Sequence, residues 1–549
     1  MAWGILEDTS SGLGHVPGTA LLEEDFTGEE GSAAHHSHEH LKKTVVRGET
    51  IILVPQPSDD ANDPLGWPLW TRDLLFLLYA YCGLLCIGGI GPILSSLTLD
   101  LVARFGISFT DVSLLTGYSL CATGASGLFI SAVTHKYGKR IPLLFSMAAA
   151  FAGTLWGGAA TSHHSLLGAR IVQGFSVSMF ESVFFAVVGD LYFVHERGVR
   201  VALVTTCISG LSNLPPVLAG KIATDLGWRW VFWLLSIFLG VGLGLSVLLG
   251  WETAYNRNPV YDTDVASTDK KLEDMEKLEK RTTTATSTSI AAAAARPRQS
   301  FAARLHPYSG TYTHKPLWRL AIDPVLILAN PAVIWAVLLM SFPTLWVIGI
   351  NLLIAQIFSG PPFQLTTTQL GYMSAGPTVG GSLGSVFAGL MSDPLIKYMS
   401  RKNGGVYEPE FRLLLIVPAV VLSAIAYFLF GHFVIEPGVS PVAMATLWGL
   451  ATASLQFVMM AVGTYCVDAY RASSVEIFIS TMVIKNFLFF GFTYFLNDWV
   501  AQWGGRRMFY CIAGIQIGLC LTTIPLYVYG KQLRAWWHKP SSSSSHQDK

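Results

Sequence analysis

Long apolar runs separated by short polar stretches dominate the chain, and they form two groups of six on either side of a polar stretch at about 256–321. A hydrocarbon core roughly 30 Å thick takes about 20 apolar residues to cross as a helix, and in lipid only a helix or a closed barrel pairs every backbone group. Runs of that length lie at about 74–97, 112–133, 141–161, 165–190, 200–222, 231–250, 332–357, 369–392, 412–433, 440–463, 473–497 and 508–530. The pattern predicts an all-α integral membrane protein with twelve transmembrane helices in two pseudo-symmetric six-helix bundles. The division that follows is a disordered N-terminal tail over 1–70, bundles over 71–255 and 331–532, a central loop over 256–330, and a disordered C-terminal tail over 533–549.

Composition agrees with this, since 51% of residues are hydrophobic and only 13% are charged, the proportions of packed, lipid-facing spans. A formal net charge of zero supplies no basic field for nucleic acid. The basic residues instead sort by loop. Lys136, Lys139, Arg140, Arg197, Arg200, Lys397, Arg401, Lys402, Arg412, Arg471, Lys531 and Arg534 fall on one side, against mainly Arg104, Arg229, Arg506 and Arg507 on the other. The positive-inside rule then places both termini and the central loop in the cytosol, and an even number of spans puts the termini on one side. Residues 1–70 are polar and acidic without a cleavable signal, so the first span itself is expected to direct insertion.

Seven cysteines lie in or beside the spans without metal-type spacing, which indicates neither zinc nor disulfides, and no cofactor is called for. His35, His36, His38 and His40 belong to a solvated low-complexity tail and are assigned no site. Within the central loop, Asp269 to Arg281 carries helix-like Glu and Lys spacing suited to a short surface helix in a flexible linker.

The two halves repeat. Gly227-Trp228-Arg229-Trp230-Val231-Phe232-Trp233 opens the sixth run and Gly504-Gly505-Arg506-Arg507-Met508-Phe509-Tyr510 opens the twelfth, sharing G-x-R-x-x-F-aromatic. Ser131-x-x-x-His135-Lys136-Tyr137-Gly138-Lys139-Arg140 follows the second run, and Gly389-x-x-x-Asp393 follows the eighth. Matching signals in matching places argue for two similar bundles around a central passage, the layout of alternating access.

Over about 63–535 the chain resembles the major facilitator superfamily, and within it the fungal branch of twelve-span drug:proton antiporters. Ser131 to Arg140 is similar to the loop motif G-x-x-x-D-R-x-G-R-R, whose charges latch neighbouring helix ends; Ser131 replaces its glycine and His135 its acid, while Asp393 keeps the acid in the second half. Arg170-Ile171-Val172-Gln173-Gly174 resembles the fourth-span R-x-x-Q-G motif, whose arginine the family places near the proton path. Pro215 to Gly220 is similar to the antiporter motif G-P-x-x-G-G, with Pro215 and Ala219 in place of glycines. Asp190-Leu191-Tyr192-Phe193-Val194-His195-Glu196-Arg197-Gly198, Glu252 to Arg257 and Arg401 to Leu413 resemble signatures of the fungal branch. The resemblance implies export of metabolites and xenobiotics or proton-driven uptake of small organic cations such as polyamines, and by family habit a place in the plasma membrane.

Arg170, Gly174, Ser178 and Glu181 sit at steps of four, four and three, so Arg170 and Glu181 project within about 20° of one another on a helix turning about 100° per residue. An ionised side chain in the bilayer costs about 2.5–3.5 kcal/mol or more and faces the bundle interior. The pair is either an ion pair that orients helices or a proton carrier, Glu181, tuned by Arg170; the second reading is taken here. Lys485 and Asn486, near the middle of the eleventh run, are expected at a cavity or a partner acid. Asn351, Gln356, Gln173, Asn213 and Gln456 are further substrate-binding candidates, equally suited to bonding between helices. His135, Lys136, Gly138, Lys139, Arg140, Asp190, Glu196, Arg197 and Asp393 are assigned to gates and loops, and Pro215 and Pro216 to a bend in the fifth helix.

Proton-coupled efflux of a small organic molecule is the leading expectation, ahead of cation uptake and of a non-transporting nutrient sensor. HExxH and a P-loop are absent from the sequence, and Gly380-Gly381-Ser382-Leu383-Gly384 matches G-x-S-x-G only by letter, inside an apolar run and not at a strand-to-helix turn, so neither intramembrane hydrolysis nor ATP-driven pumping is indicated, and the chain is not expected to be an enzyme. Its expected partners are the bilayer, a small-molecule substrate and protons, without an obligatory protein partner.

Overall fold

A computed structural model describes residues 4–6, 19–21, 43–46, 49–52, 60–193, 196, 200, 203–204, 206–255, 300–404, 406–470 and 473–537. Arg197, the histidine-bearing tail and the Asp269 to Arg281 patch lie outside the described residues.

Among the described residues, helical stretches follow one another in the order of the twelve hydrophobic runs. Ten of those described are long and apolar enough to cross a membrane: the first span Leu69–Phe105, second Phe109–Tyr137, third Arg140–Ala159, sixth Trp228–Leu249, seventh Pro331–Phe358, eighth Thr367–Lys402, ninth Pro409–Phe433, tenth Pro441–Ala469, eleventh Ser474–Thr493 and twelfth Leu496–Trp537. The fourth and fifth are built in pieces. The fourth runs His163–Ser182, breaks at Val183 and resumes as Phe184–Leu191. The fifth passes from a π-helical turn Thr206–Gly210 through Leu211–Asn213 to Pro215–Leu226. Pro215 and Pro216 therefore begin a new helix where a bend in a continuous one was expected, because proline is accommodated in a first turn whose amides have no helical partner.

Four of the loops on the side remote from the chain ends supply a side-chain cap. Ser108, Ser162, Thr366 and Ser440 accept a backbone N–H of the helix that follows, and Ser108–Asp111 and Thr366–Gln369 form reciprocal capping boxes. The repeat is visible in backbone geometry. Gly227 (φ 92°, ψ 154°) starts the sixth span and Gly504 (φ 75°, ψ 155°) starts the transmembrane part of the twelfth, a conformation that excludes a β-carbon in both halves. Arg229 then donates to Ala160 O just past the third span (3.1 Å), and Arg506 pairs with Glu436 just past the ninth (2.7 Å). The same turn ties the same pair of helices in each half.

Helices approach closely where side chains are small. A β-carbon at Gly376 would overlap the Ala445 carbonyl, and one at Gly380 the Gly449 carbonyl; Gly384 stacks one turn further on against Ala453. The resulting seam between the eighth and tenth spans has backbone on backbone, the packing that lipid-embedded helices use in place of a hydrophobic driving force. Each half keeps its own apolar core, one around Leu75, Tyr79, Phe180 and Phe232, the other around Trp346, Leu353, Trp448 and Phe509.

The tail expected to be disordered is partly docked. Ile5 is buried among Ile396, Met399, Tyr407 and Phe411, Leu6 N–H bonds Val528 O (3.0 Å), and Ala20–Leu21 pairs antiparallel with Val406–Tyr407. Lys43–Val46 and Glu49–Ile52 form a separate hairpin. The twelfth span also outruns its apolar stretch, to Trp537, because Arg534 is buried by Glu408 and Glu410 and does not mark a free tail.

Gly380→Ala is expected to lower stability by about 1–3 kcal/mol, since a carbonyl cannot move aside as a side chain does. Gly518→Ala, where a β-carbon meets nothing within 4 Å, serves as the neutral control in the same thermal melts.

Candidate functional site

The fourth-span stripe separates into three parts. Gly174 and Ser178 pack on the second span: a β-carbon at Gly174 would overlap the Ser119 carbonyl, Thr123 Oγ1 donates to Gly174 O (2.9 Å), and Ser126 Oγ donates to Ser178 Oγ (3.1 Å). The small polar residues therefore serve close helix contact and not an open cavity.

At one end of the stripe, Arg170 is fully buried and does not reach Glu181. Eleven residues of helix separate them by about 16 Å, and one side of a helix is not contact. Arg170 Nη1 donates to Ile90 O (2.7 Å) and to Gln173 Oε1 (2.9 Å), and Nη2 lies 3.5 Å from Gly91 O. These carbonyls belong to the place where the first span leaves helical order, a π-helical stretch Leu84–Ile90 followed by Gly91-Pro92. A break in a spanning helix frees carbonyls that lipid cannot satisfy, and the guanidinium fork supplies the donors. Arg170 thus holds a broken helix, which corrects its assignment as the group that tunes Glu181. Gln173 belongs to the same cluster, its Nε2 donating to Thr154 Oγ1 (2.8 Å).

At the other end, Glu181 leaves its own half. Its Oε1 lies 3.0 Å from Lys485 Nζ and its Oε2 accepts from Asn486 Nδ2 at 3.1 Å. The two partners are consecutive residues of the eleventh span, and both carboxylate oxygens are used across the boundary between the bundles. The side chains of Glu181 and Lys485 keep 13% and 17% of their surface exposed, enough for the pair to exchange with water or solute. Asn486 Oδ1 is buried without a partner among the described residues.

Above this link, on the side remote from the chain ends, the halves are joined by neutral hydrogen bonds: Asn497 Nδ2 to Ser113 Oγ (2.7 Å), Tyr118 with Tyr494 through their hydroxyls (3.0 Å), and Thr224 with Thr368 (2.7 Å). One face of the passage is closed while an acid–base pair bridges its middle. A buried ion pair joining two halves that are otherwise separately cored is the geometry of a passage whose walls move against each other.

Known sequences agree with this geometry. The sequence profile of the Major Facilitator Superfamily matches residues 76–483. This chain belongs to the major facilitator superfamily. Among its relatives, Protein HOL1 of Saccharomyces cerevisiae is 25% identical over 90% of this chain and 92% of its own length. A probable efflux pump, mfs2, of Aspergillus flavus is 25% identical over 78% and 95%. A multidrug transporter, DTR1, of Candida glabrata is 26% identical over 64% of each chain. The protein is a multi-pass membrane transporter of this superfamily and not an enzyme.

The superfamily's loop motif is held here by groups the motif does not name. Glu252, after the sixth span, accepts from the amides of Lys139 (2.8 Å), Arg140 (3.1 Å), Thr253 (3.0 Å) and Ala254 (2.9 Å), and its carboxylate occupies the space beside Gly138, whose φ is 93°. Lys139 pairs with Asp190. Arg140 caps the sixth span's end at Gly250 O and Val247 O and reaches Leu305 O (3.1 Å) of the central loop. Lys136 O accepts from Tyr312 N–H (2.9 Å). Glu196 pairs with Arg72 at 2.8 Å. His135, in the acid's place, joins none of these. In the second half the acid is Asp468, paired with Arg412 and Tyr407, and not Asp393, which is exposed and forms no ion pair among the described residues. Burial first and Asp468 second push the Tyr407 hydroxyl well above its ordinary range, so it remains a donor.

The remaining candidates disperse. Gln356 Nε2 donates to Asn497 O (3.2 Å), and Gln456 accepts from Ser385 (3.3 Å) while its Nε2 is buried without a partner. Asn351 is buried on the seventh span, and Asn213 is half-buried on the turn before Pro215. Glu252, Asp468, Arg72 and the Glu408/Glu410/Arg534 cluster were not singled out as site residues. A buried carboxylate whose partners are backbone amides leaves no charge pattern in the sequence.

A double-mutant cycle of Glu181→Gln and Lys485→Gln, read by thermal or denaturant unfolding, is expected to give a coupling of about 1–3 kcal/mol, below that of a fully buried pair because both groups keep some solvent. The same cycle on Glu181 and Arg170 should give none.

Proposed function

We propose that this transporter exchanges a small organic molecule, a metabolite, drug or toxin, for protons by alternating access, with Glu181 as the group that gains and loses the proton. The observation that carries this reading is the bond from Glu181 to Lys485 and Asn486 across the two halves. Protonation removes the charge that holds Lys485, and the ammonium and the Asn486 amide are released to a substrate or to the passage. Deprotonation restores the link. A site that is complete only when the halves meet at it senses their relative position, and a titratable group there ties proton binding to that position.

Asn351, Gln456 and Asn486 are the polar groups assigned to substrate recognition on the C-terminal half, since each keeps hydrogen-bonding capacity that the protein does not use. Export is favoured over uptake by the efflux and multidrug names of two relatives. The distribution of basic residues among the loops supports a cytosolic position for the chain ends, and the plasma membrane is the location we assign.

In membrane vesicles with the cytosolic face outward, an inside-acidic gradient should drive accumulation of a compound selected by its effect on the protein's melting temperature. Glu181→Gln should reduce that accumulation to the level of vesicles without the protein. Undiminished proton-driven accumulation in Glu181→Gln would remove Glu181 as carrier. Accumulation only with the gradient reversed would make the protein an importer.

A further inference from the structure

On the side of the chain ends, the seam between the second and eleventh spans opens into a cavity of about 330 Å³. Three parts of the chain meet there. Ser131 and His135 come from the second span, Glu476 and Ile479 from the eleventh, and Tyr312, Thr313, Lys315, Leu320, Asp323 and Pro324 from the connecting segment and its helix Leu317–Leu326. That helix is anchored to the eleventh span by Ser480 Oγ, which donates to Pro324 O. The cavity thus lies between the halves, with the linker that joins them forming one wall.

Its charged groups are not paired. His135, Lys315, Asp323 and Glu476 form no hydrogen bond or ion pair through their side chains among the described residues. Nearby charges divide clearly. Asp190 is held by Lys139, and Glu252 by four backbone amides, so neither is available. Lys136 and Lys139 lie on the histidine's own turn and on the loop after it. Glu476 and Asp323 are the carboxylates that line the cavity with His135. Ser131, 3% exposed, lines the same space one turn above the histidine. One ionisable base on the first half therefore faces two uncommitted carboxylates carried by the second half and by the linker.

We propose that this cavity is a second proton-binding site, separate from Glu181, in which protonated His135 is drawn between Glu476 and Asp323 and closes the seam on the side of the chain ends. With the imidazole neutral, no second-span residue that lines the cavity offers the carboxylates a cation, and the seam stands open as observed. The sign follows from the charges. Pairing stabilises the protonated form, so the closed arrangement is favoured at low pH and is lost as the imidazole gives up its proton at higher pH. An acid in the place of His135 would repel both carboxylates and could not act in this way. Acidification on that side would therefore bias the transporter toward the conformer closed there, whatever carries the transported proton.

Spin labels introduced at Val133 and Val475 as non-canonical amino acids leave the seven native cysteines in place and report the width of the seam in full-length protein in nanodiscs. Measurements belong in a Glu181→Gln background, so that a shift cannot come from the central carboxylate, and at about pH 5.5 and about pH 8, on either side of a histidine's ordinary value. The ratio of short- to long-distance populations should rise by about threefold at the lower pH, the limit that half a unit of difference in pKa between the two arrangements sets. His135→Gln and Glu476→Gln should both abolish the dependence, and His135→Lys should show the short distance at both pH values. A pH-dependent shift that survives in His135→Gln, a flat response in the unsubstituted seam, or a wide seam at both pH values in His135→Lys would each overturn the proposal.

Discussion

A carboxylate and an ammonium at membrane depth cannot stand alone, and the bond of Glu181 to Lys485 and Asn486 is where this chain resolves that constraint. Either charge by itself would face a low-dielectric surrounding at a cost of several kcal/mol. Each group comes from a different half, so satisfying one charge requires the halves to be together at their middle. The neutral hydrogen bonds on the remote side then set which end is closed, and they are individually weak enough to exchange. The joint at the centre depends on charge while the joint at the remote side depends on hydroxyls and amides. Those two kinds of joint respond to different conditions.

Three spans of the N-terminal half are built irregularly. The first span carries a π-helical stretch, the fourth breaks at Val183, and the fifth is assembled from three short pieces. Broken helices expose backbone groups that must be satisfied within the protein, and Arg170 does this for Ile90 and Gly91. The eighth and tenth spans, by contrast, lock together through glycine on backbone. The N-terminal half therefore holds much of the irregular backbone, whereas the C-terminal half holds a rigid seam behind Gln456 and the tenth span. A passage with one compliant wall and one stiff wall needs few moving parts.

At the side of the chain ends, charge is again the organising term, but the solutions differ between the halves. The first half spends its acids on backbone amides and on Lys139, while the second half buries Arg534 between Glu408 and Glu410 and seals the cluster with Thr19, whose hydroxyl donates to Glu408 at 2.8 Å. Docking of residues 4–6 and 19–21 attaches the start of the chain to the half that is more distant in sequence. These networks fix each bundle internally. Between the bundles on this side lie a cavity and a histidine.

Hydrophobic length alone located nearly every span, because in lipid the thickness of the hydrocarbon and the need to pair the backbone leave few other solutions. The repeat was equally legible: Gly227 and Gly504 have a backbone angle that a side chain would forbid, so the same residue recurs at the same point of each half. That Glu181 and Lys485 each need a partner was also readable, since a charge inside an apolar run is rare enough to require a reason. Their pairing was not. Periodicity places Arg170 and Glu181 on one face of one helix, yet residues sixteen ångströms apart along an axis do not meet, and the partner that does meet Glu181 is 304 positions away in the sequence. The same holds for Glu252 with the loop amides and for Asp468 in place of Asp393. A one-dimensional pattern records which groups must leave the lipid, whereas the packing of one helix on another selects the group each of them finds there.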